Sequence, residues 1–200
     1  MGRKRPLLAV AAATTLTFTA LATSSADEEF WAAVMRELPQ ANVSLDQALK
    51  TSEQEGKPIS AEYDVEDGDF QISVYVEKDG NFREVIVDPK SGTINTTKPI
   101  TVPGEVDEAE AQSAALSNAK LPLAAAIATA VDSNHGYRAV SIIPIVGDGE
   151  TVATITLMKG EVIKQVAKIK LTGARYFPRQ GQDWGLFHPW LRYRAGTMQV

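Results

Sequence analysis

The 200-residue chain carries 20 basic and 25 acidic residues and no cysteine, and 44% of its residues are hydrophobic. Its length fits one ordinary domain or two small ones, and its hydrophobic fraction is typical of a globular protein. The lack of cysteine excludes disulfides, thiolate metal sites and a cysteine nucleophile. His135 and His188 are the two histidines, which excludes a multi-histidine metal site.

The first 26 residues have the three-part layout of a secretory signal peptide. Arg3, Lys4 and Arg5 form a positive segment, an uncharged run covers residues 6–22, and small residues precede Asp27. This pattern predicts cleavage after Ala26 and a periplasmic or secreted mature protein with a net charge of −8. The alternative is an uncleaved N-terminal membrane anchor, for which an apolar run of 17 residues is short.

The mature region contains an internal repeat at an offset of 78 to 80 residues. Residues 38–49 align with residues 116–127, and apolar residues coincide at six positions. We predict a first repeat over 27–98, a linker over 99–106 and a second repeat over 107–174. Each repeat is expected to begin with a leading helix, over 28–38 and 107–118.

The first repeat contains a short helix followed by three strands. Ser44 is a good N-cap, and Leu45, Ala48 and Leu49 form an apolar face at helical spacing, which Gly56 is expected to end. Alternating or apolar runs predict strands over 59–65, 70–77 and 82–87. The pairs Asp67-Gly68 and Asp79-Gly80 predict hairpin turns, and residues 88–92 predict a closing turn.

The second repeat is expected to follow the same order. A helix begins at Pro122, its apolar face includes Leu123, Ala126 and Ile127, and Gly136 ends it. Strands are predicted over 138–146, 151–158 and 161–169, with turns at 147–149 and 159–160. Leu49 and Ile127 should therefore be buried at equivalent positions.

These features resemble the PepSY family. The resemblance is carried by the helix cores Leu45-Asp-Gln-Ala-Leu49 and Leu123-Ala-Ala-Ala-Ile127, by Gly56 and Gly136, and by the ending Val85-Ile-Val-Asp88-Pro-Lys-Ser-Gly92-Thr-Ile94. The second repeat departs from the family ending, since residues 167–173 lack the aspartate. The resemblance implies an α+β fold built as a tandem repeat of a helix packed on a small three-stranded antiparallel sheet. It also implies an exported, non-catalytic module that binds or restrains a partner. No cofactor is expected.

The carboxylates of the first hairpin and His135 are candidates for metal binding or catalysis, but a structural role is expected for both. Five carboxylates lie in or beside the first hairpin and could suggest a calcium site: Glu62, Asp64, Glu66, Asp67 and Asp69. Their spacing fails the EF-hand pattern, so a solvated hairpin without metal is expected. His135 lies at a helix end, where a capping role is expected. No nucleophile elbow, P-loop or dinucleotide-binding fingerprint is present, so we predict no enzyme activity.

The C-terminal tail, residues 175–200, differs in composition from the rest of the chain. It holds six of the 14 aromatic residues and has a net charge of +3, whereas residues 27–174 have a net charge of −11. Aromatic and arginine side chains dominate protein interfaces. The candidate partner-binding residues are Tyr176, Phe177, Trp184, Phe187, Trp190, Arg192, Tyr193 and Arg194. The alternatives are a strap that packs on its own sheets and an arm that contacts a membrane surface.

The favoured hypothesis is a non-enzymatic periplasmic protein that binds a protein partner in the periplasm or cell envelope. The first alternative is an inhibitor or folding modulator that acts in trans on an exported protease. The second alternative is a module that binds calcium or a small ligand. Nucleic acid is not expected as a partner, because the mature chain is acidic.

Overall fold

The computed structural model of the protein describes residues 25–147 and 149–172. In these residues the chain forms four α-helices, namely α1 (Ser25–Glu37), α2 (Leu45–Ser52), α3 (Pro103–Leu116) and α4 (Leu123–Asp132), and a 3₁₀ helix at Leu38–Gln40. It also forms seven strands, namely β1 (Lys57–Glu66), β2 (Asp69–Lys78), β3 (Asn81–Val87), β4 (Ile94–Pro99), β5 (Arg138–Gly147), β6 (Glu150–Lys159) and β7 (Val162–Lys170). The fold is α+β, in agreement with the predicted class.

The seven strands of the described region form one antiparallel sheet in the order β4-β3-β2-β1-β5-β6-β7. The prediction of separate three-stranded sheets is wrong, because β1 pairs directly with β5 and β4 extends the sheet at one edge. The β1–β5 pairing is short, with Ala61 opposite Ile142 and Glu62 opposite Ser141. β1 pairs with β2 along most of its length. One continuous sheet therefore spans both predicted repeats, and the domain boundaries stay a prediction.

The helices α2 and α4 contact each other and cover one face of the sheet. Helix α2 packs on β1, β2 and β3, and α4 packs on β5, β6 and β7. Leu49 and Ile127 are 5% and 4% exposed, which confirms their predicted burial. Helix α1 packs on β1, and α3 packs on β5, β1 and β6. Within the described residues, no helix is both long and apolar enough to cross a membrane.

The predicted hairpin turns of the first repeat are present for a clear conformational reason. Asp67 and Asp79 both have a φ of 52°, and the glycines that follow them have φ values of 89° and 73°. Two consecutive positive φ angles match the right-handed twist of the flanking strands, and Asp-Gly tolerates them well. The two turns connect β1 to β2 and β2 to β3, so the register of this meander is set locally.

The predicted strands lie within two residues of the observed ones, but three features differ. β4 was missed, because its sequence is polar and ends at Pro99. The predicted linker is shortened, because α3 begins at Pro103. Gly56 was assigned as the helix end, yet α2 ends at Ser52. A Cβ at Gly56 would lie 2.6 Å from the carbonyl oxygen of Glu77, so glycine allows a close approach to β2.

Candidate functional site

The turn at Asp88–Gly92 is held by the side chain of its first residue. Asp88 Oδ1 accepts hydrogen bonds from the backbone N–H groups of Lys90 and Ser91, at 2.9 and 2.7 Å, and from Ser91 Oγ at 2.9 Å. These bonds, first of all the one from the Ser91 N–H, hold the pKa of Asp88 below its ordinary value. Gly92 donates to the Asp88 carbonyl and has a φ of 77°, a conformation that favours glycine.

This turn also positions the start of α2. The Pro89 carbonyl accepts hydrogen bonds from the N–H groups of Asn42 and Val43, at 2.9 and 3.0 Å. The Val43 side chain packs against Gly92, where a Cβ would lie 3.4 Å away. Ser44 then begins α2, and the Gln47 side chain accepts from the Ser44 N–H at 2.8 Å. The turn from Asp88 to Gly92 therefore connects the end of β3 to the start of α2, and we call this arrangement the clamp.

The same backbone contact recurs before α4. The Leu171 carbonyl accepts hydrogen bonds from the N–H groups of Lys120 and Leu121, at 2.6 and 2.9 Å. Lys120 and Leu121 lie 78 residues after Asn42 and Val43, which is the offset of the sequence repeat. The second clamp has no aspartate, and among residues 25–147 and 149–172 it consists of this backbone contact.

Arg138, the first residue of β5, binds the segment that precedes α2. Its guanidinium donates to the carbonyls of Leu38, Ala41 and Val43, at 3.4, 2.8 and 2.6 Å. It also donates to Tyr63 Oη at 2.6 Å and lies 5.1 Å from the centre of the Tyr63 ring. Tyr63 Oη in turn donates to the Val43 carbonyl. Burial raises the pKa of Tyr63 to about 12, against the opposing effect of Arg138.

A groove of about 220 Å³ lies between the Asp88 turn, the β1–β2 turn and the 3₁₀ helix. It is lined by Glu37, Gln40, Gly68, Asp69, Phe70, Asp88, Pro89 and Lys90. The lining holds three carboxylates and one amine, so the groove is anionic. Phe70 stacks on Tyr63 with ring centroids 5.6 Å apart, which links the groove to the Arg138 contacts.

The face of β1, β2 and β3 opposite α2 has an unusual composition. We call it the polar face and define it by Glu62, Asp64, Ser73, Tyr75, Glu84 and Ile86. The strand register places Glu62 beside Ser73 and Tyr75 beside Glu84, and Ser73 Oγ donates to the Glu84 carboxylate. Glu62 and Asp64 are 4% and 2% exposed. Carboxylates are rarely buried to this extent unless cations or hydrogen-bond donors stabilise them.

Helix α3 also buries a carboxyl group. Glu108 Oε2 is inaccessible to solvent and has no hydrogen-bond partner among the described residues, and neither does Gln112 Oε1 one turn later. Burial, followed by the charge of Glu105, raises the pKa of Glu108 to about 7. Ser113 on the same helix donates to the carboxylate of Glu77 on β2.

We expect Glu108→Gln to stabilise the protein above neutral pH. The folded-state pKa of Glu108 is raised, so its favourable contribution is complete below the ordinary pKa of 4.5 and is lost as the pH rises through about 7. An amide avoids the charged form, so the variant should melt at a higher temperature than the original protein at pH 8, with the difference shrinking towards pH 4.5. Glu110→Gln, on the exposed side of α3, is the control and should show no such pH-dependent gain. A constant difference at all pH values would contradict this assignment.

We expect Asp88→Ala to lower the free energy of unfolding by about 1 kcal/mol, as the loss of a capping side chain does. Because the folded-state pKa of Asp88 is lowered, its contribution is present above the ordinary pKa of 3.8 and is lost as the pH falls through the lower folded value. Urea denaturation at pH 7 and at pH 3 measures this. Asp88→Asn keeps an acceptor oxygen and should lose less stability than Asp88→Ala. Equal losses in the two variants would exclude the hydrogen-bonding role.

The predicted functional residues fall into three groups in the structure. The C-terminal candidates, Tyr176 to Arg194, lie outside the described residues, as do His188 and residues 1–24. The five carboxylates of the first hairpin are separated, since Glu62 and Asp64 are buried in the sheet while Asp67 and Asp69 are exposed at the turn. In the described part of the chain, no group of three or more histidine or acidic residues could hold a metal ion. His135 is exposed beyond the end of α4, where Asn134 donates to the Ala130 carbonyl at 2.7 Å.

Comparison with known families finds one match, on the segment that contains the Asp88 turn. The PepSY family, described as the peptidase propeptide and YPEB domain, matches residues 42–94. The matched segment begins at the residues that the Pro89 carbonyl binds and ends in β4, so it contains α2, the β1–β3 meander and the clamp. The PepSY match covers about a quarter of the chain. The search of curated proteins and the search of solved structures both give no match.

Proposed function

We propose that this protein is an exported, non-enzymatic protein with two PepSY-like repeats that binds another protein in the periplasm or cell envelope. The PepSY match over residues 42–94 carries this proposal, because the family is described by its occurrence in peptidase propeptides. In the matched segment the family's aspartate and glycine hold a turn against a helix. We therefore assign these two residues a structural role and not a catalytic one.

Support for a second repeat comes from backbone geometry. The contact of Lys120 and Leu121 with the Leu171 carbonyl repeats that of Asn42 and Val43 with the Pro89 carbonyl. Each contact precedes a short helix, and each helix leads into a three-stranded meander. In this proposal the second repeat keeps the backbone contact of the clamp without the aspartate.

Two surfaces of the protein suit recognition of a protein partner. Strand β4 is an edge of the sheet that the described strands form, and Asn95 and Thr96 on it are exposed. An exposed edge can pair with an extended segment of another chain, although Lys98 and Pro99 limit the pairing to the first half of β4. The second surface is the tail, whose aromatic and arginine residues include Trp184, Trp190 and Arg192.

The proposal is tested with the mature chain, residues 27–200, as an immobilised bait for proteins of a periplasmic extract. Quantitative mass spectrometry should find a protein enriched on this bait, and the purified pair should then bind in solution. A second bait carries Thr97→Pro, which removes an N–H group on the side of β4 that faces away from β3, and a third carries Lys50→Ala on the exposed side of α2 as the control. If no purified pair binds, the partner-binding proposal is wrong.

The protease alternative is favoured by the family's description as a peptidase propeptide. If the chain acts in trans on an exported protease, adding the mature chain to a thermolysin-like protease should lower the rate of peptide hydrolysis or raise the yield of refolded protease. A rate and a yield that are both unchanged at saturating chain would reject this alternative.

Export is tested separately by the intact mass of the natural protein. Cleavage after Ala26 would remove the first two residues of α1 and leave a mature chain that begins at Asp27. A mass that includes residues 1–26 would contradict cleavage and favour the N-terminal anchor.

A further inference from the structure

The polar face of β1, β2 and β3 is buried, although helix α2 packs on the opposite face of these strands. Tyr75 and Ser73 on β2 are each 2% exposed, and Ile86 on β3 is 4% exposed. Helix α2 packs on β2 and β3, and it lies on the side of Tyr63, whose hydroxyl binds the Val43 carbonyl. The side chains of Ser73, Tyr75 and Ile86 alternate with the residues that face α2. Helix α2 therefore does not account for the burial of these three side chains, and the contact of α3 with β2 lies at the end of the strand, at Glu77.

The charge of the polar face specifies the kind of segment that would cover it. Glu62, Asp64 and Glu84 place three carboxylates within three neighbouring strands, beside the aromatic ring of Tyr75. Buried carboxylates require cations or several donors, and an aromatic ring favours another aromatic ring or a guanidinium.

We propose that residues 175–200 of the same chain dock on the polar face in the protein without a partner. This segment carries four arginines, one aspartate and six aromatic residues, so its charge and its chemistry complement those of the face. The inference concerns the unbound protein and does not depend on the proposed partner.

The tail is long enough to reach this face from the end of the described chain. The described residues end just after β7, at one edge of the sheet, and β2 lies four strands away. At about 4.8 Å between strands, the distance to β2 is roughly 20 Å. A dozen extended residues span about 40 Å, so more than half of the tail remains to lie along the face.

Photocrosslinking in the full mature chain tests the proposal directly. The variant Glu84→benzoylphenylalanine places the photoreactive group on the polar face at a half-buried position. Irradiation should form links within one chain to peptides from residues 175–200. The control Lys50→benzoylphenylalanine, on the exposed side of α2, should give no links to this segment.

Three other outcomes would overturn the proposal. Links to residues 1–24 in an uncleaved chain would identify the N-terminal segment as the cover. Links between two chains, seen as a dimer on a denaturing gel, would identify a second copy. Absence of links at position 84, or equal linking at position 50, would show that the tail does not dock on this face.

Hydrogen exchange provides a measurement on protein without the photoreactive group. The tail amides should be protected in the original chain and should lose protection in Arg192→Gln/Arg194→Gln, while the exchange of β5 and β6 stays unchanged. Glu53→Gln on the opposite side of the sheet should leave the tail protected. Unprotected tail amides in the original protein would contradict docking even if the variants fold normally.

Discussion

Arg138→Ala should lower the free energy of unfolding by about 2–4 kcal/mol, because the change removes charged hydrogen bonds and leaves acceptors unpaired. In the intact protein the guanidinium binds the Ala41 and Val43 carbonyls at 2.8 and 2.6 Å and also contacts the Tyr63 hydroxyl. Urea denaturation at neutral pH measures the effect. Arg138→Lys should recover only a small part of the loss, since an ammonium group cannot span three carbonyls with one planar fork.

The matched control for this prediction is Tyr63→Phe, which keeps the ring and removes the hydroxyl. It should cost about 1–2 kcal/mol, and the double variant should cost less than the sum of the two single variants, because the groups share one network. Arg36→Ala on α1 should change stability little. If Arg138→Ala lowered the free energy of unfolding by no more than Arg36→Ala does, the guanidinium would not stabilise the contact between β5 and the segment before α2.

Leu49→Ala and Ile127→Ala should each lower the free energy of unfolding by about 2–4 kcal/mol, as large-to-small changes in a core do. Both side chains are at most 5% exposed on the helix faces that cover the sheet. Because one sheet spans both halves, each variant should unfold in a single transition with a lower midpoint. Circular dichroism and intrinsic fluorescence should report the same midpoint.

Lys50→Ala, which changes the exposed side of α2, is the control for both truncations and should alter stability by less than about 0.5 kcal/mol. Two separate transitions, with Leu49→Ala moving one and Ile127→Ala moving the other, would show that the halves unfold independently. The β1–β5 pairing would then be too weak to couple them.

Local features of the fold were predictable because they depend on neighbours in sequence. The turns at Asp67 and Asp79 follow from Asp-Gly pairs, and the strand β2 follows from strict alternation between Phe70 and Val76. The start of α2 follows from Ser44. The clamp at Asp88 was found as a family motif, although its contact with Asn42 and Val43 was not foreseen.

Features that depend on distant segments were missed. The β1–β5 pairing joins two strands whose sequences do not indicate which neighbour each will choose. Glu62 and Asp64 were assigned with three other carboxylates to a solvated hairpin, because the spacing of these carboxylates fails the EF-hand pattern. Both are buried in the structure, and their burial depends on tertiary packing, which residue spacing does not report. The role of Arg138 was missed for the same reason, since its acceptors are backbone carbonyls about 100 residues earlier.

Strand β1 can pair with β5 only late in the synthesis of the chain. Ala61 meets its β5 neighbour Ile142 only after 81 further residues have been synthesised. Until then β1 is an unpaired edge of the first meander, and such an edge invites pairing with other chains. Non-local contacts of this kind also slow folding. We therefore expect the emerging chain to depend most on chaperones in the interval after β1 has been synthesised and before β5 has been synthesised.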